Sequence, residues 1–335
     1  MLSEIKYENH RVLVTGAAGF IGSNLVEWLL NNGNQVVGLD NFATGKKENV
    51  NPFLSHPNYT FLEGDIRDFA ICEKACDGVE HVLHQAAIGS VPRSIKNPMV
   101  STDVNIGGFV NMAFAAVNAG VKRFVYASSS SIYGDSPVLP KVEAQIGKPL
   151  SPYAITKNVN EMFANNFFDL YNLKVIGLRY FNVFGRRQDP FGAYAAVIPI
   201  FVRQILNGEA VTINGDGLHA RDFTYINNVI EINIRGLLTD NKKAINQAYN
   251  VGFGGKTTLN ELYEILKNLL TPYNEEIAKL QPIYGPDRSG DIKESLANID
   301  KARQLLGYNP EYDINCGLQK AIDWYVNYFR SLEKK

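Results

Sequence analysis

The sequence predicts an α/β protein: a doubly wound parallel sheet followed by a smaller C-terminal α/β lobe. Three observations carry this. In the first half, short apolar runs alternate with stretches of helical period, the rhythm of right-handed βαβ units. A glycine-rich turn, Gly16-Ala-Ala-Gly19-Phe-Ile-Gly22, joins the first such run to the first helical stretch. No Pro/Gly/Ser-rich linker separates the halves, so the second reads as a cap on the first and not as an independent module.

Val12-Leu-Val-Thr15 supplies four apolar or β-branched residues, which predicts a buried strand at 11–15. Leu25, Val26, Leu29 and Leu30 then recur at helical spacing, giving a helix over about 20–32. Further strands are expected at 35–39, 59–63, 80–84, 122–127 and 174–179, with helices between them at about 67–76, 97–119 and 153–172. Beyond residue 181 the pieces shorten. Helices are expected near 194–207, 227–239, 258–270, 299–306 and 315–331, with short strands at 210–213 and 247–251. A Pro-punctuated stretch runs from Thr271 to Asp291. The expected division is 1–181 for the nucleotide-binding domain, with segments near 221–252 packing back onto it, and 182–335 for the substrate lobe.

Composition narrows the functional classes. A hydrophobic content of 45% with 20% charged residues is that of a soluble globular protein. The formal net charge of −1, without long blocks of one sign, argues against nucleic acid or an anionic membrane as a partner. No 18-residue apolar stretch is present, and Met1 to His10 lacks the apolar core of a signal peptide, so a cytoplasmic protein is expected. Cys72, Cys76 and Cys316 are too few for a disulfide framework and lack nearby ligand partners, so no metal site is expected. His84, inside an apolar strand, reads as a core histidine.

The glycine-rich turn sits where a Rossmann-type dinucleotide fingerprint would. Gly16 allows the tight turn, Gly19 the approach of a pyrophosphate and Gly22 the helix–strand contact, with the phosphates on free N–H groups of the helix start, Phe20 and Ile21 included. Asp40 closes the second strand 18 residues after Gly22. A carboxylate there binds ribose hydroxyls and repels a 2′-phosphate, selecting NAD over NADP. In this fold ligands bind outside the carboxyl ends of the strands. That edge also carries Asn41, then Asp65 and Ile66, where an adenine would lie. Small residues follow in Gln85-Ala86-Ala87, where a dinucleotide backbone must pass.

The chemistry concentrates at two further places on that edge. Ser128 to Ser131 end the fifth strand, which favours substrate contact over simple turn material. Tyr153 and Lys157 are four apart in Ser151-Pro-Tyr-Ala-Ile-Thr-Lys157, so on a helix they share a face. A cation beside a phenol favours phenolate and lowers its pKa from about 10 toward neutrality, making a general base for a hydroxyl. Asn182, after the sixth strand, is placed to bond a substrate phosphate or ribose. Arg203, Arg221 and Arg288 each suit a surface ion pair, but two converging on the cleft would suit a diphosphate. Met162, Phe163, Phe167, Phe168, Leu170 and Tyr171 cannot share one helix face. That breadth calls for burial on two sides, against the sheet and against either a second subunit or the C-terminal half.

Thr15-Gly-Ala-Ala-Gly-Phe-Ile-Gly22, Ser128-Ser-Ser-Ser-Ile-Tyr-Gly134, Tyr153-x-x-x-Lys157 and Leu178-Arg-Tyr-Phe-Asn-Val-Phe-Gly185 together resemble the extended short-chain dehydrogenase/reductases acting on nucleotide sugars, over about residues 10 to 325. Within that group the chain is most similar to UDP-sugar 4-epimerases. Ser90-Val-Pro-Arg-Ser94 and Asn182 to Pro190 resemble the branch acting on UDP-N-acetylglucosamine (UDP-GlcNAc) and UDP-N-acetylgalactosamine (UDP-GalNAc). The resemblance implies bound NAD, with Tyr153 as base, Lys157 on the nicotinamide ribose and Ser129 or Ser131 on the sugar 4-oxygen. It adds Tyr180 to the cofactor residues. It places Ser90, Ser129, Ser130, Ser131, Tyr153, Asn182, Ala196, Val197, Asn214, Arg221, Arg288, Asp291 and Ser295 on the UDP-sugar. Separately, the apolar excess at Phe163, Phe167 and Phe168 leads to the expectation of a homodimer through the 97–119 and 153–172 helices, a four-helix bundle across a two-fold axis. Sister dehydratases carry an Asp-Glu pair within the serine motif and decarboxylases a Glu; here no acid lies between Ala127 and Gly134, which leaves redox at C4. At the position of Ser295, epimerases confined to non-acetylated sugars carry tyrosine. The alternatives are UDP-glucose/UDP-galactose, the corresponding uronic acids, or a non-catalytic dinucleotide sensor. The sensor reading fits less well, because such proteins tend to lose the tyrosine or lysine kept here.

Overall fold

The computed structural model describes residues 2–191, 196–286 and 294–332. Seven strands form one parallel sheet: β1 Arg11–Thr15, β2 Gln35–Asp40, β3 Tyr59–Glu63, β4 His81–His84, β5 Arg123–Ser129, β6 Val175–Tyr180 and β7 Gln247–Val251. Their order is β7-β6-β5-β4-β1-β2-β3. The chain winds outward one way from β1 to β3 and the other way from β4, so the order reverses between β1 and β4. That is where a doubly wound sheet leaves a crevice.

Side-chain alternation explains why both faces are covered. Val12 and Val14 of β1 enter one apolar cluster with Leu25, Val26 and Leu29 of α1, Phe20–Asn31. Leu13, between them, enters the other cluster with Phe109 and Met112 of α2, Gly108–Asn118. A strand buried on both faces has no polar side, which is why β1 reads as a continuous apolar run.

The helix expected over 97–119 is continuous but not uniform. Pro98–Thr102 leads into a π-helical turn, Asp103–Gly107, before α2. Within that turn the Asn105 side chain donates to Ile88 O at 3.2 Å and accepts from Ile88 N–H at 2.8 Å. It also donates to Thr156 Oγ1 at 3.1 Å, so the irregular turn serves a tertiary contact. Helix α3, Pro152–Tyr171, starts at Ser151, whose hydroxyl accepts the Ala154 N–H, with Pro152 in the first turn. The apolar residues of α3 divide between the chain's own core and its surface. Phe167 is buried, and Phe163 and Phe168 pack on the chain's own core. The large apolar or aromatic side chains of α3 left in solvent are Ile155, Met162, Leu170 and Tyr171, beside Ile95 and Met99 from the preceding helical segments.

The C-terminal half adds α4 (Val197–Leu206), α5 (Ile226–Leu238), α6 (Leu259–Leu270) and α7 (Ile314–Leu332). Helix α5 packs on β5 and β6, and its successor strand β7 joins the main sheet beside β6. A short strand Thr212–Asn214 replaces the one expected at 210–213. Two-residue strands at Val183–Phe184, Ala220–Arg221, Thr224–Tyr225, Thr257–Thr258 and Glu294–Ser295 tie the loops together; their pairings depend on tertiary contacts that local sequence does not encode. Among the described residues no helix is long and apolar enough to cross a membrane.

Candidate active site

Three adjoining cavities follow the carboxyl edge of the sheet. The first, about 380 Å³, is lined by Gly16, Gly19, Phe20, Ile21, Gly22, Asp40, Asn41, Asp65, Ile66, Gln85, Ala86 and Ala87. Ile21, Gln85, Ala87 and Gly89 continue into a second, about 250 Å³, completed by Ala127, Ser128, Ser129, Tyr153, Lys157, Tyr180 and Asn182. Asn182 and Val183 in turn line a third, about 500 Å³, with Ala196, Val197, Gln204, Asn214, Arg221 and Phe223.

The first cavity is a backbone cradle. Gly16 has φ +68°, and a Cβ there would stand 2.9 Å from Ala86 N. A Cβ on Gly22 would stand 2.7 Å from the carbonyl carbon of Gly16 and closer still to its oxygen. Only glycine lets these segments meet, and the meeting exposes the first-turn N–H groups of α1. Asp40 braces the turn: its carboxylate accepts from Ala18 N–H at 2.9 Å and Phe42 N–H at 2.7 Å. Burial raises its pKa, and the backbone bonds oppose that rise. Asn41 donates to Asp65 at 2.6 Å, and Arg67 at 2.8 Å helps pull the Asp65 pKa down to about 2.

The second cavity brings Ser129, Tyr153 and Lys157 together. The Lys157 ammonium lies 5.9 Å from the centroid of the Tyr153 ring and donates to Ala127 O at 2.7 Å. Burial lowers the Lys157 pKa to about 8, against the opposing charge of Glu161. The sequence reading has the lysine lowering the phenol's pKa. In the structure the Tyr153 pKa is instead raised, because burial outweighs a hydrogen bond with the Ser129 hydroxyl and the ammonium is turned to a carbonyl. Ser128 donates to Glu161, away from the cleft, while Ser130 and Ser131 lie on the following 3₁₀ turn and do not line it. Ser131 Oγ is buried without a hydrogen-bond partner among the described residues.

Sequence reasoning missed several supports. Ser94 Oγ accepts the Tyr153 N–H at 3.0 Å and so sets the start of α3. Asn233 of α5 receives Gln85 Nε2 at 3.2 Å and donates to Tyr180 OH at 2.9 Å, fixing two residues of the cleft wall. Neither has a spacing signal. Ser90 caps the Val91–Lys96 helix with φ +98° and lines none of the three cavities. Ser295 pairs in register with Arg221 and also stands outside those linings. Arg288 and Asp291 lie outside the described residues. His84 is a core residue, its Nδ1 2.8 Å from Thr15 Oγ1 and its pKa pushed down to about 3 by burial. Among the described residues no group of three or more His, Cys, Asp or Glu is placed to hold a metal ion.

Residues 12–252 match the profile of the NAD dependent epimerase/dehydratase family. The chain belongs to that family. It is 38% identical over 318 residues to a putative UDP-glucose 4-epimerase of Methanocaldococcus jannaschii, covering 94% of this chain and 98% of the relative. Among solved structures, UDP-N-acetylglucosamine 4-epimerase of Methanobrevibacter ruminantium M1, in complex with UDP-N-acetylmuramic acid, superposes with TM-score 0.89 at 37% identity, covering 96% of this chain and 100% of the other. The UDP-glucose 4-epimerase of Thermus thermophilus, complexed with NAD, superposes with TM-score 0.82 at 35% identity, covering 94% and 99%.

Proposed function

We propose that this family member is an NAD-dependent 4-epimerase of UDP-sugars, with UDP-GlcNAc and UDP-GalNAc as its preferred pair. The observation that carries the reading is one cavity holding Ser129, Tyr153 and Lys157, its walls continuous with the glycine cradle on one side and the Arg221-bearing cavity on the other. The cradle suits a dinucleotide: it presents N–H groups without side chains, and Asp40 carries charge where a 2′-phosphate would have to sit. When bound, NAD⁺ supplies the hydride acceptor and a cationic ring that favours phenolate. The Ser129 hydroxyl holds the sugar 4-oxygen, and Tyr153 takes its proton as C4 becomes a ketone, returning it after the sugar has turned. Lys157 is the cation at hand for the phenolate. With no acid between Ala127 and Gly134, nothing in the serine motif could abstract a proton at C5, which supports simple redox at C4.

Ser295 supports the acetylated pair. It lies beside Arg221 in the strand register, and a serine leaves room for a 2-acetamido group that a tyrosine would fill. The proposal assigns residues 1–181 to cofactor binding and 182–335 to the substrate, with the exposed stripe of α3 covered by a second copy. Incubating purified protein with UDP-GlcNAc, UDP-GalNAc, UDP-glucose and UDP-glucuronic acid, without added cofactor, tests it. The acetylated pair should equilibrate fastest, and a protein that interconverts none of the four ends the reading.

A further inference from the structure

The end of β5 is gripped by a buried ion pair that the chemistry above does not use. Glu161 stands one helical turn beyond Lys157 and two beyond Tyr153 on α3. One carboxylate oxygen accepts from Ser128 Oγ at 2.6 Å and from Arg179 Nε at 2.9 Å; the other accepts from Arg179 Nη2 at 2.7 Å. Glu161 is 9% exposed and Arg179 5%, so the pair is cut off from water. The remaining Arg179 donor, Nη1, reaches Tyr133 OH at 3.0 Å and Glu143 O at 2.9 Å. A buried ion pair is seldom the most stable filling for its site, since apolar residues of like volume do as well or better. What this one adds is direction and charge. The residue before Ser128 offers its carbonyl to Lys157, and the residue after it is Ser129.

We propose that Glu161 is a positioning residue for turnover: its carboxylate sets the Ala127–Ser129 strand end against α3 and presents a negative charge to Lys157. The proposal rests on the epimerase reading for its kinetic consequence, and on the structure alone for its effect on Lys157. Burial lowers the Lys157 pKa to about 8 and Glu161 opposes that. The other groups around the ammonium give no such help. His84 of β4 is neutral, its pKa pushed down by burial and by Lys157 itself. Tyr153 on the same helix has its pKa raised by burial, as has Tyr126 of β5, and Arg179 of β6 is a cation. Removing the carboxylate charge therefore moves deprotonation of Lys157 to lower pH.

The test compares wild type with Glu161→Gln, Glu161→Asp and Ser128→Ala, each checked by near-UV circular dichroism and for bound nucleotide. Two readouts are taken: the pH profile of kcat and KM, and the Lys157 titration in lysine-labelled protein by NMR. Glu161→Gln should lower kcat about tenfold or more with KM little changed, as expected when a catalytic group shifts by a fraction of an ångström. Its alkaline limb and its Lys157 titration should both move to lower pH. Glu161→Asp should restore the titration, while Ser128→Ala should lose rate without moving it. Should Glu161→Gln not fold, Glu161→Asp and Ser128→Ala decide: both near wild type in kcat overturns the proposal. So does a folded Glu161→Gln with an unshifted Lys157 titration. Wild type that epimerises nothing refutes the functional reading instead, and the NMR titration still judges the contact with Lys157.

Discussion

Substituting Gly22 by alanine should empty the cofactor cradle. The added Cβ would stand 2.7 Å from the Gly16 carbonyl carbon, nearer still to its oxygen, and 3.2 Å from Ala17 Cα. All three are backbone atoms, so no rotamer change relieves the overlap; the turn and the start of α1 must separate by about half an ångström to an ångström. Overpacking of this kind costs about 1–3 kcal/mol. For a chain of 335 residues, unfolding with an entropy of about 2.1 cal/mol/K per residue, each kcal/mol lowers Tm by roughly 1–2 °C. The larger effect is on binding, because the N–H groups that face the phosphates move with the turn. A misplacement near 1 Å is worth up to about 10²-fold, so retained nucleotide should fall at least tenfold. The assay is the NAD(H) released per chain when desalted protein is denatured, alongside a thermal melt. Gly107→Ala is the matched control: its Cβ would meet nothing nearer than Asp103 Oδ1 at 3.8 Å, and it should melt at or above wild type. Gly22→Ala with wild-type nucleotide content and turnover would refute the cradle.

Tyr153→Phe removes only the proton acceptor, so turnover should fall by about 10²–10⁴ while calorimetric UDP-sugar affinity stays within a few-fold; a rate near wild type would remove Tyr153 from the mechanism. The exposed Ile95, Met99, Ile155, Met162 and Leu170 predict a homodimer by light scattering at micromolar concentration, and Met162→Glu should give monomer; a monomeric wild type contradicts this. Ser295→Tyr should reduce activity on the acetylated pair at least tenfold relative to UDP-glucose: from its place beside Arg221 the added ring would reach a cavity that Ser295 itself does not line, and such added volume costs roughly 1–3 kcal/mol. An equal loss on all substrates would mean Ser295 does not gate substrate size.

What could be read in the sequence is what repeats or is spaced. The β1–α1–β2 unit follows from Val12, Leu13 and Val14, the three glycines and Asp40, because period and turn chemistry act locally. Tyr153 and Lys157 meet the cleft for the same reason: helical spacing is reliable. The serine run was less legible, since strand alternation separates neighbours. Ser128 turns into the protein towards Glu161 and Ser129 into the cleft, and the following 3₁₀ turn carries Ser130 and Ser131 away from it. The π-helical turn around Asn105 was invisible because its cause, the contacts with Ile88 and Thr156, is tertiary. The Arg179–Glu161 pair was not legible: a charge inside the apolar run of β6 needs a buried partner, but no spacing in the sequence points to Glu161 as that partner. Phe163, Phe167 and Phe168 were misleading, because core burial and interface burial look alike in sequence.

The central claim is reversible oxidation at C4 by a cofactor that never leaves. Its most direct test is an NMR time course of the as-purified protein with UDP-GlcNAc in D₂O, without added NAD. The account predicts the C4 epimer with protium retained at C4, because the hydride removed is the hydride returned. Deuterium at C4, or no change in C4 configuration with any of the UDP-sugars, would contradict it.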